Sequence, residues 1–382
     1  MLRITAVRTI PLRAPLDRPF WSATHVGLDP KLGMHATRGM LLVEVETADG
    51  LVGLGSCQSS GKNLAALDRL VQDELAGYLI GEDAFARERI WETIYRGTFQ
   101  HGRKGVAISA LSGLDIALWD IAGQAAGQPI YKLLGAAHDS LPAYGSAGFY
   151  EEGKGLKELR AEIEGLVEQG FRSVKMKIGY LSLDDDFERI RLVRETLPKG
   201  YGLMVDANRA YTPKTAIRVA RRLADLDVLF FEEPTNPDDL EGAAAVGAGS
   251  PVPIAGYETE YTRFGYRELI VRKAVDIVQP NVTWCGGISE GKKIGMLAAA
   301  FHLGCVPHTF GSPLTLIANL HLGASLPNAS AVEFDRTPNP LMRELLEEPP
   351  TIDSESRVHL PSGPGLGVKL SSQAVEKWRL DK

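Results

Sequence analysis

The sequence predicts an α/β protein built on a parallel (β/α)8-type barrel, with a second, smaller unit at its N-terminus. Three observations carry that prediction. From Leu141 onward, short apolar strands alternate with amphipathic helical stretches eight times over, the pattern of a parallel strand set joined by crossover helices. Chemistry-bearing residues recur at the strand tips at intervals of 23 to 29 residues, about one strand, one helix and their loops. And 382 residues exceed what one hydrophobic core ordinarily serves.

Taken in order, residues 5–10 and 39–47 alternate as strands, the second closed by the turn signal Asp49-Gly50, with residues 52–56 returning as its hairpin partner. The polar and aromatic stretch 17–33, with Phe20, Trp21 and His25, reads as a long loop serving as a lid. Ala107, Leu111, Leu114, Leu118 and Ile121 then recur at helical spacing up to Gly123 or Gly127. Asp115 and Asp120 within that helix read as structural partners at a domain junction. A boundary near residues 135–140 separates an N-terminal unit, 1–135, from the repeating part, 136–345. The eight strands are 141–147, 173–179, 202–207, 228–233, 252–257, 276–281, 304–309 and 331–335, with helices such as 156–169, 213–226 and 288–303 between them. An open doubly wound sheet is the rival, but no glycine-rich dinucleotide fingerprint follows the first strand. The segment 346–382, punctuated by prolines and glycines at 361–367, turns back onto the N-terminal unit.

Composition narrows the partners. A net charge of -6 provides no basic footprint for nucleic acid. No apolar run approaches the roughly 20 residues that cross a membrane. The N-terminus reads as a strand rather than a signal peptide. Cys57, Cys285 and Cys305 form neither a metal cluster nor a disulfide framework, which fits a reducing, cytoplasmic setting.

The chemistry centres on Lys175-Met176-Lys177. Two lysines two residues apart on a strand point to one face, and lysine is rarely buried without a partner. Each ammonium lowers the pKa of the other, which suits a base. Along the strand tips there follow Asp206, Glu232 and Glu258, then Asn281, His308 and Glu333. Singly, each acid reads as a surface residue or helix cap. Together, three carboxylates on three successive strands repel unless a hard divalent cation neutralises them, and an all-oxygen set suits magnesium rather than zinc.

These motifs resemble the enolase superfamily, and its mandelate racemase subgroup in particular. The resemblance rests on Lys175-Met176-Lys177, Val205-Asp206-Ala207-Asn208, Phe231-Glu232-Glu233-Pro234, Gly256-Tyr257-Glu258, Gln279-Pro280-Asn281 with Gly286-Gly287, Pro307-His308 and Glu333-Phe334-Asp335. It implies a modified TIM-type barrel under an α+β capping domain formed by both chain ends. It implies Mg2+ on Asp206, Glu232 and Glu258, and removal of the proton α to a carboxylate to give a metal-stabilised enediolate. Lys177 would be the base and Lys175 a protonated carboxylate contact. His308 would serve the opposite face, and a protonated Glu333 would donate to the carboxylate. One residue departs from the subgroup: position 281 is asparagine where the pattern has aspartate. Asn281 can orient His308 but cannot stabilise its cation by charge, so His308 is expected to hold a proton less firmly.

The reaction expected first is dehydration of an acid sugar to a 2-keto-3-deoxy acid. Racemases, epimerases and sugar-lactone cycloisomerases share the half-reaction, and a metal-binding barrel without catalysis is the non-enzymatic alternative. His25, Tyr144, Asn208 and Trp284 are the expected substrate contacts. The resemblance also implies a homo-oligomer acting on a small-molecule carboxylate.

Overall fold

The computed structural model describes residues 1–25, 34–59 and 61–381. The N-terminal part is a three-stranded antiparallel sheet, β1 (Ile4–Phe20), β2 (His35–Thr47) and β3 (Val52–Ser59). It packs on α1 (Leu64–Asp73), α2 (Arg87–Gly97) and α3 (Val106–Ala126), after which comes the short α4 (Ile130–Leu133). β1 runs to Phe20, ten residues beyond the expected strand, and its register with β2 reaches Phe20–His35. Much of the expected lid is therefore sheet, and its middle, 26–33, lies outside the described residues.

The approach of β3 to α3 explains two glycines. A Cβ on Gly53 would fall 2.2 Å from the Ala117 carbonyl, and one on Gly55 1.9 Å from that of Gly113. Only bare backbone allows that contact. α3 corrects the membrane reading of the sequence. Its 21 residues are long and apolar enough to cross a bilayer, but 89% of the apolar window is buried inside the protein. It is apolar all round because it is covered all round. Asp115 and Asp120 interrupt it to hold neighbours. Asp115 accepts from the Ser289 backbone N–H and hydroxyl at 2.9 and 2.6 Å. Asp120 accepts from the backbone N–H groups of Leu54 and Leu366.

The second part alternates as the sequence predicts. Its elements are β4 (Ser140–Ala147), α5 (Leu156–Glu168), β5 (Ser173–Lys177), α6 (Leu183–Thr196), β6 (Gly202–Asp206), α7 (Pro213–Ala224), β7 (Val228–Glu232), α8 (Leu240–Gly249), β8 (Ile254–Gly256), α9 (Thr262–Val271), β9 (Ile277–Val278), α10 (Gly287–Ala300), β10 (Gly304–Cys305), α11 (Pro313–Ala324) and β11 (Val332–Asp335). Local chemistry starts the helices: Ser182, Thr212, Asp239 and Ser312 each accept from the backbone N–H three residues on. The parallel strands follow the order β10-β9-β8-β7-β6-β5-β4-β11. Between β10 and the residues leading into β11, the described residues make one isolated parallel bridge, Cys305–Ala329. Inside the curled sheet, Tyr144, Met204, Phe230, Ala255 and Val306 form a small apolar plug.

After α12 (Pro340–Glu344), β12 (Arg357–His359) pairs antiparallel with β4, and α13 (Ser372–Trp378) ends the chain. The tail then reaches the first sheet, where the Leu380 N–H donates to the Pro11 carbonyl at 2.9 Å.

Candidate active site

The C-terminal rim of the curled sheet gathers the chemistry. Lys177, Asp206 and Glu232 are direct register partners across β5, β6 and β7, so the pleat alone points them to one side. Lys175 Nζ donates to both Glu232 oxygens at 2.7 and 2.8 Å and lies 2.9 Å from Glu333 Oε1. Lys177 Nζ donates to Asp206 Oδ2. His308 Nε2 faces Glu258 Oε2 at 2.6 Å. Gln279, on the same motif as Asn281, donates to Glu232 Oε2 at 2.8 Å.

Charge counting shows what the pit lacks. Asp206, Glu232 and Glu333 are buried, and Glu258 half-buried, against two ammonium groups and one imidazole. With all four carboxylates ionised and the imidazole neutral the pit carries two excess negative charges, and a divalent cation is what would favour that state. Burial pushes Glu232 up to about 8 despite Lys175, with Asp206 and Glu333 adding to the push. Among the described residues, no three acidic, histidine or cysteine side chains are arranged to hold a metal ion; Asp206, Glu232 and Glu258 are each turned onto an amine or imidazole. The oxygen donors, their number and their excess charge fit magnesium.

This pairing corrects two expectations. Lys177 is not held low by Lys175. Burial, the largest single effect, and Lys175 act that way, but Asp206, Glu232 and Glu258 together outweigh them and hold it above its ordinary value. Lys175 is raised further still, by Glu232 and Glu333 against its burial. A cation on Asp206 would take away the partner that keeps Lys177 protonated. Glu333, expected as a protonated donor, is shifted toward the carboxylate form. Burial pushes it up, but Lys175 and His308 hold it below the usual carboxylate range, and it accepts from the Thr309 N–H at 3.2 Å.

His308 departs from expectation in two opposing ways. Burial lowers its pKa, yet Glu258 and Glu333 offset this and lift it to about 9. That lift depends on Glu258 being free to face the ring. On the other side, Asn281 Nδ2 lies 3.1 Å from His308 Nδ1. The amide cannot be turned round. Its Oδ1 accepts from the Thr283 N–H at 3.0 Å, the Thr283 hydroxyl at 2.7 Å and Asn319 Nδ2 at 3.1 Å. The Asn319 amide is fixed in turn by the Val282 N–H on its Oδ1. Backbone N–H groups only donate, so Nδ1 of His308 faces a donor and must itself accept. The proton of the neutral ring then sits on Nε2, toward the pit.

Above the pit lies a cavity of about 330 Å3 between the two parts of the chain, with Lys177, Glu258 and His308 at its floor. Asn208 and Trp284 line it, as expected of substrate contacts. Asn208 also donates to Asp206 through its backbone and amide nitrogens. Trp284 Nε1 is directed at the Tyr261 hydroxyl. Tyr144 does not reach the cavity. It is in the apolar plug, with Lys175 Nζ 5.6 Å from its ring centroid. It faces into the barrel rather than lining its mouth, and two residues before Ser146 it is one layer too deep. His25 ends the turn Ala23–His25, and its side chain lies outside the described residues.

The sequence reading missed cavity residues contributed by the first part, Arg38, Gln58 and Asn63 among them, and Phe310 two residues beyond His308. Phe310 follows a recognised motif at strand spacing and was within reach of that logic. Arg38 was not: only the docking of the two parts brings it to the cavity.

Comparison with known proteins agrees with this arrangement. The family described as the mandelate racemase / muconate lactonizing enzyme N-terminal domain matches residues 27–135, and the enolase C-terminal domain-like family matches residues 158–374. An arabinonate dehydratase of Saccharolobus solfataricus is 39% identical over 89% of this chain and 90% of its own length. A D-galactarolactone cycloisomerase of Agrobacterium fabrum is 37% identical over 99% of each chain. The crystal structure of L-talarate/galactarate dehydratase from Salmonella typhimurium, liganded with Mg and L-lyxarohydroxamate, superposes with a TM-score of 0.89 at 30% identity, over 99% of this chain and 93% of that one.

Proposed function

The chain belongs to the mandelate racemase / muconate lactonizing enzyme family of the enolase superfamily, and from that premise we propose that it removes the proton α to the carboxylate of a sugar acid and expels the β-oxygen. Dehydration to a 2-keto-3-deoxy acid is the reading the site supports best. Asp206, Glu232 and Glu258 would hold magnesium, which would supply the positive charge that makes the α-proton acidic.

Lys177 is the single base. It takes the α-proton on its Nζ and returns it to the β-hydroxyl leaving from the same face, so C–H and C–O bonds break, water forms, and the enol relaxes to the ketone. Lys175, protonated and seated between Glu232 and Glu333, binds the substrate carboxylate. The observation that carries the one-base reading is the fixed Asn281 amide. It keeps a donor on Nδ1 of His308, which leaves Nε2–H as a hydrogen-bond donor to developing negative charge and removes the second base that racemisation needs. Opening of a sugar lactone is the second reading, favoured by the Agrobacterium relative. There the leaving group is a carboxylate and no proton need be returned.

Incubation of the magnesium-loaded protein in D2O with a panel of sugar acids and their lactones tests the proposal. α-Deuterium exchange or 2-keto product is expected for one C2 configuration. Absence of both across the panel, with magnesium bound, would leave a metal-binding barrel without catalysis.

A further inference from the structure

Arg38 is a buried cation whose partners do not account for it. It lies near the start of β2, opposite Ala14 of β1, and is 2% exposed. Its guanidinium carbon lies 3.8 Å from the centroid of Phe310 and 4.8 Å from that of Phe20. One terminal nitrogen donates to Thr337 Oγ1 at 3.2 Å. The nearest carboxylate among the described residues, that of Asp335, is 3.9 Å away, and Asp335 is already supplied by the Gly311 N–H and by the Thr337 N–H and hydroxyl. Nε has no protein acceptor. Burial lowers the pKa of the group only to about 10, so it is charged at neutral pH. A buried guanidinium N–H without an acceptor is costly, and this side chain lines the cavity above the catalytic pit.

We propose that Arg38 is the subsite for a second carboxylate, at the end of the substrate remote from the reacting one, so that the substrate is a dicarboxylic sugar acid or its lactone. The inference rests on the sugar-acid reading above. Size is consistent with it. Arg38 and His308 flank one ring, Phe310, at 3.8 and 6.3 Å from its centroid, so no more than about 10 Å separates them. The two carboxyl carbons of an extended six-carbon diacid stand roughly 6 Å apart, at ordinary C–C lengths of about 1.5 Å. That span fits within the bound. A single guanidinium matches one carboxylate charge, whereas a phosphate would leave a second charge uncompensated in a cavity of about 330 Å3. Arg209 also lines this cavity, but Glu233 and Thr259 occupy it at 2.9 and 3.2 Å.

The test is calorimetric binding of two unreactive probes, adipate and hexanoate, to the magnesium-loaded full chain. They differ in the second carboxylate. Adipate is expected to bind about tenfold or more tightly, the worth of one charge-assisted contact. Arg38→Met should abolish the difference, and Arg38→Lys, which keeps charge but not the fork, should retain part of it. Equal binding of the two probes by the unmodified protein overturns the proposal, and so does a folded Arg38→Met that keeps the preference. If neither aldarates nor aldonates undergo α-exchange while adipate is still preferred, the reaction reading falls and the subsite stands.

Discussion

Replacing Asn281 by aspartate is expected to turn a one-base site into a two-base site. The amide nitrogen now faces Nδ1 of His308 at 3.1 Å; in Asn281→Asp a carboxylate oxygen faces it instead. Nδ1 must then carry the proton, which frees the Nε2 lone pair toward the substrate. Hydrogen bonds to charged groups contribute about 1.5–3 kcal/mol, so proton removal by His308 should speed up by roughly ten- to a hundredfold. The fold should tolerate the change. Thr283 N–H, Thr283 Oγ1 and Asn319 Nδ2 already converge on the oxygen that stays, so the cost in stability should not exceed about 2 kcal/mol. The assay is proton NMR in D2O on a pair of C2-epimeric sugar acids with the magnesium-loaded enzymes. The unmodified enzyme should exchange only the epimer whose α-hydrogen faces Lys177, and the variant should exchange both. Equal exchange of both epimers by the unmodified enzyme would refute the reasoning. So would a folded variant with no gain on the second epimer.

Lys177→Met in the magnesium-saturated protein should lower turnover by about 10²–10⁴-fold, the range for losing a general base, as read in the same exchange assay. Without metal it should also melt lower, because Asp206 loses its nearest counter-charge, and added magnesium should restore much of that loss. Chelating the metal from the unmodified protein should stop exchange yet leave the circular dichroism spectrum intact, since Lys175, Lys177 and His308 already face the acids. Acid should weaken the fold through His321. This ring accepts from the Tyr131 N–H on Nδ1 and lies 3.1 Å from the Leu366 carbonyl through Nε2, and burial lowers its pKa from 6.5 to about 4. Above pH 6.5 it costs nothing; below that the unfolded chain takes up a proton the folded chain refuses. Stability should therefore fall by about 3 kcal/mol between pH 6.5 and 4. His321→Gln should flatten that part of the urea-unfolding profile; an unchanged slope would remove His321 as the cause.

Whatever depends on strand period and repeat was legible in the chain before it folded. The eight strand segments, the crossover helices and the position of Lys177, Asp206 and Glu232 at one rim follow from alternation of side chains and from one polar residue per unit. The resemblance to the mandelate racemase subgroup, not periodicity, implied that Asn281 orients His308. Periodicity misjudged depth, because period two assigns a face but not a layer; hence Tyr144 in the plug. It also misjudged charge state. A lysine pair read alone predicts mutual lowering, and only packing showed that Asp206, Glu232 and Glu258 lie near enough to hold Lys177, like Lys175, above its ordinary pKa. The fixed orientation of the Asn281 amide was beyond reach as well, since it depends on backbone donors at 282 and 283 and on Asn319 from a later helix. Arg38 is the clearest case of what tertiary structure alone decides. Nothing in its own strand marks it, and its meaning arises where the first sheet closes over the barrel mouth and leaves a cation buried beside a cavity.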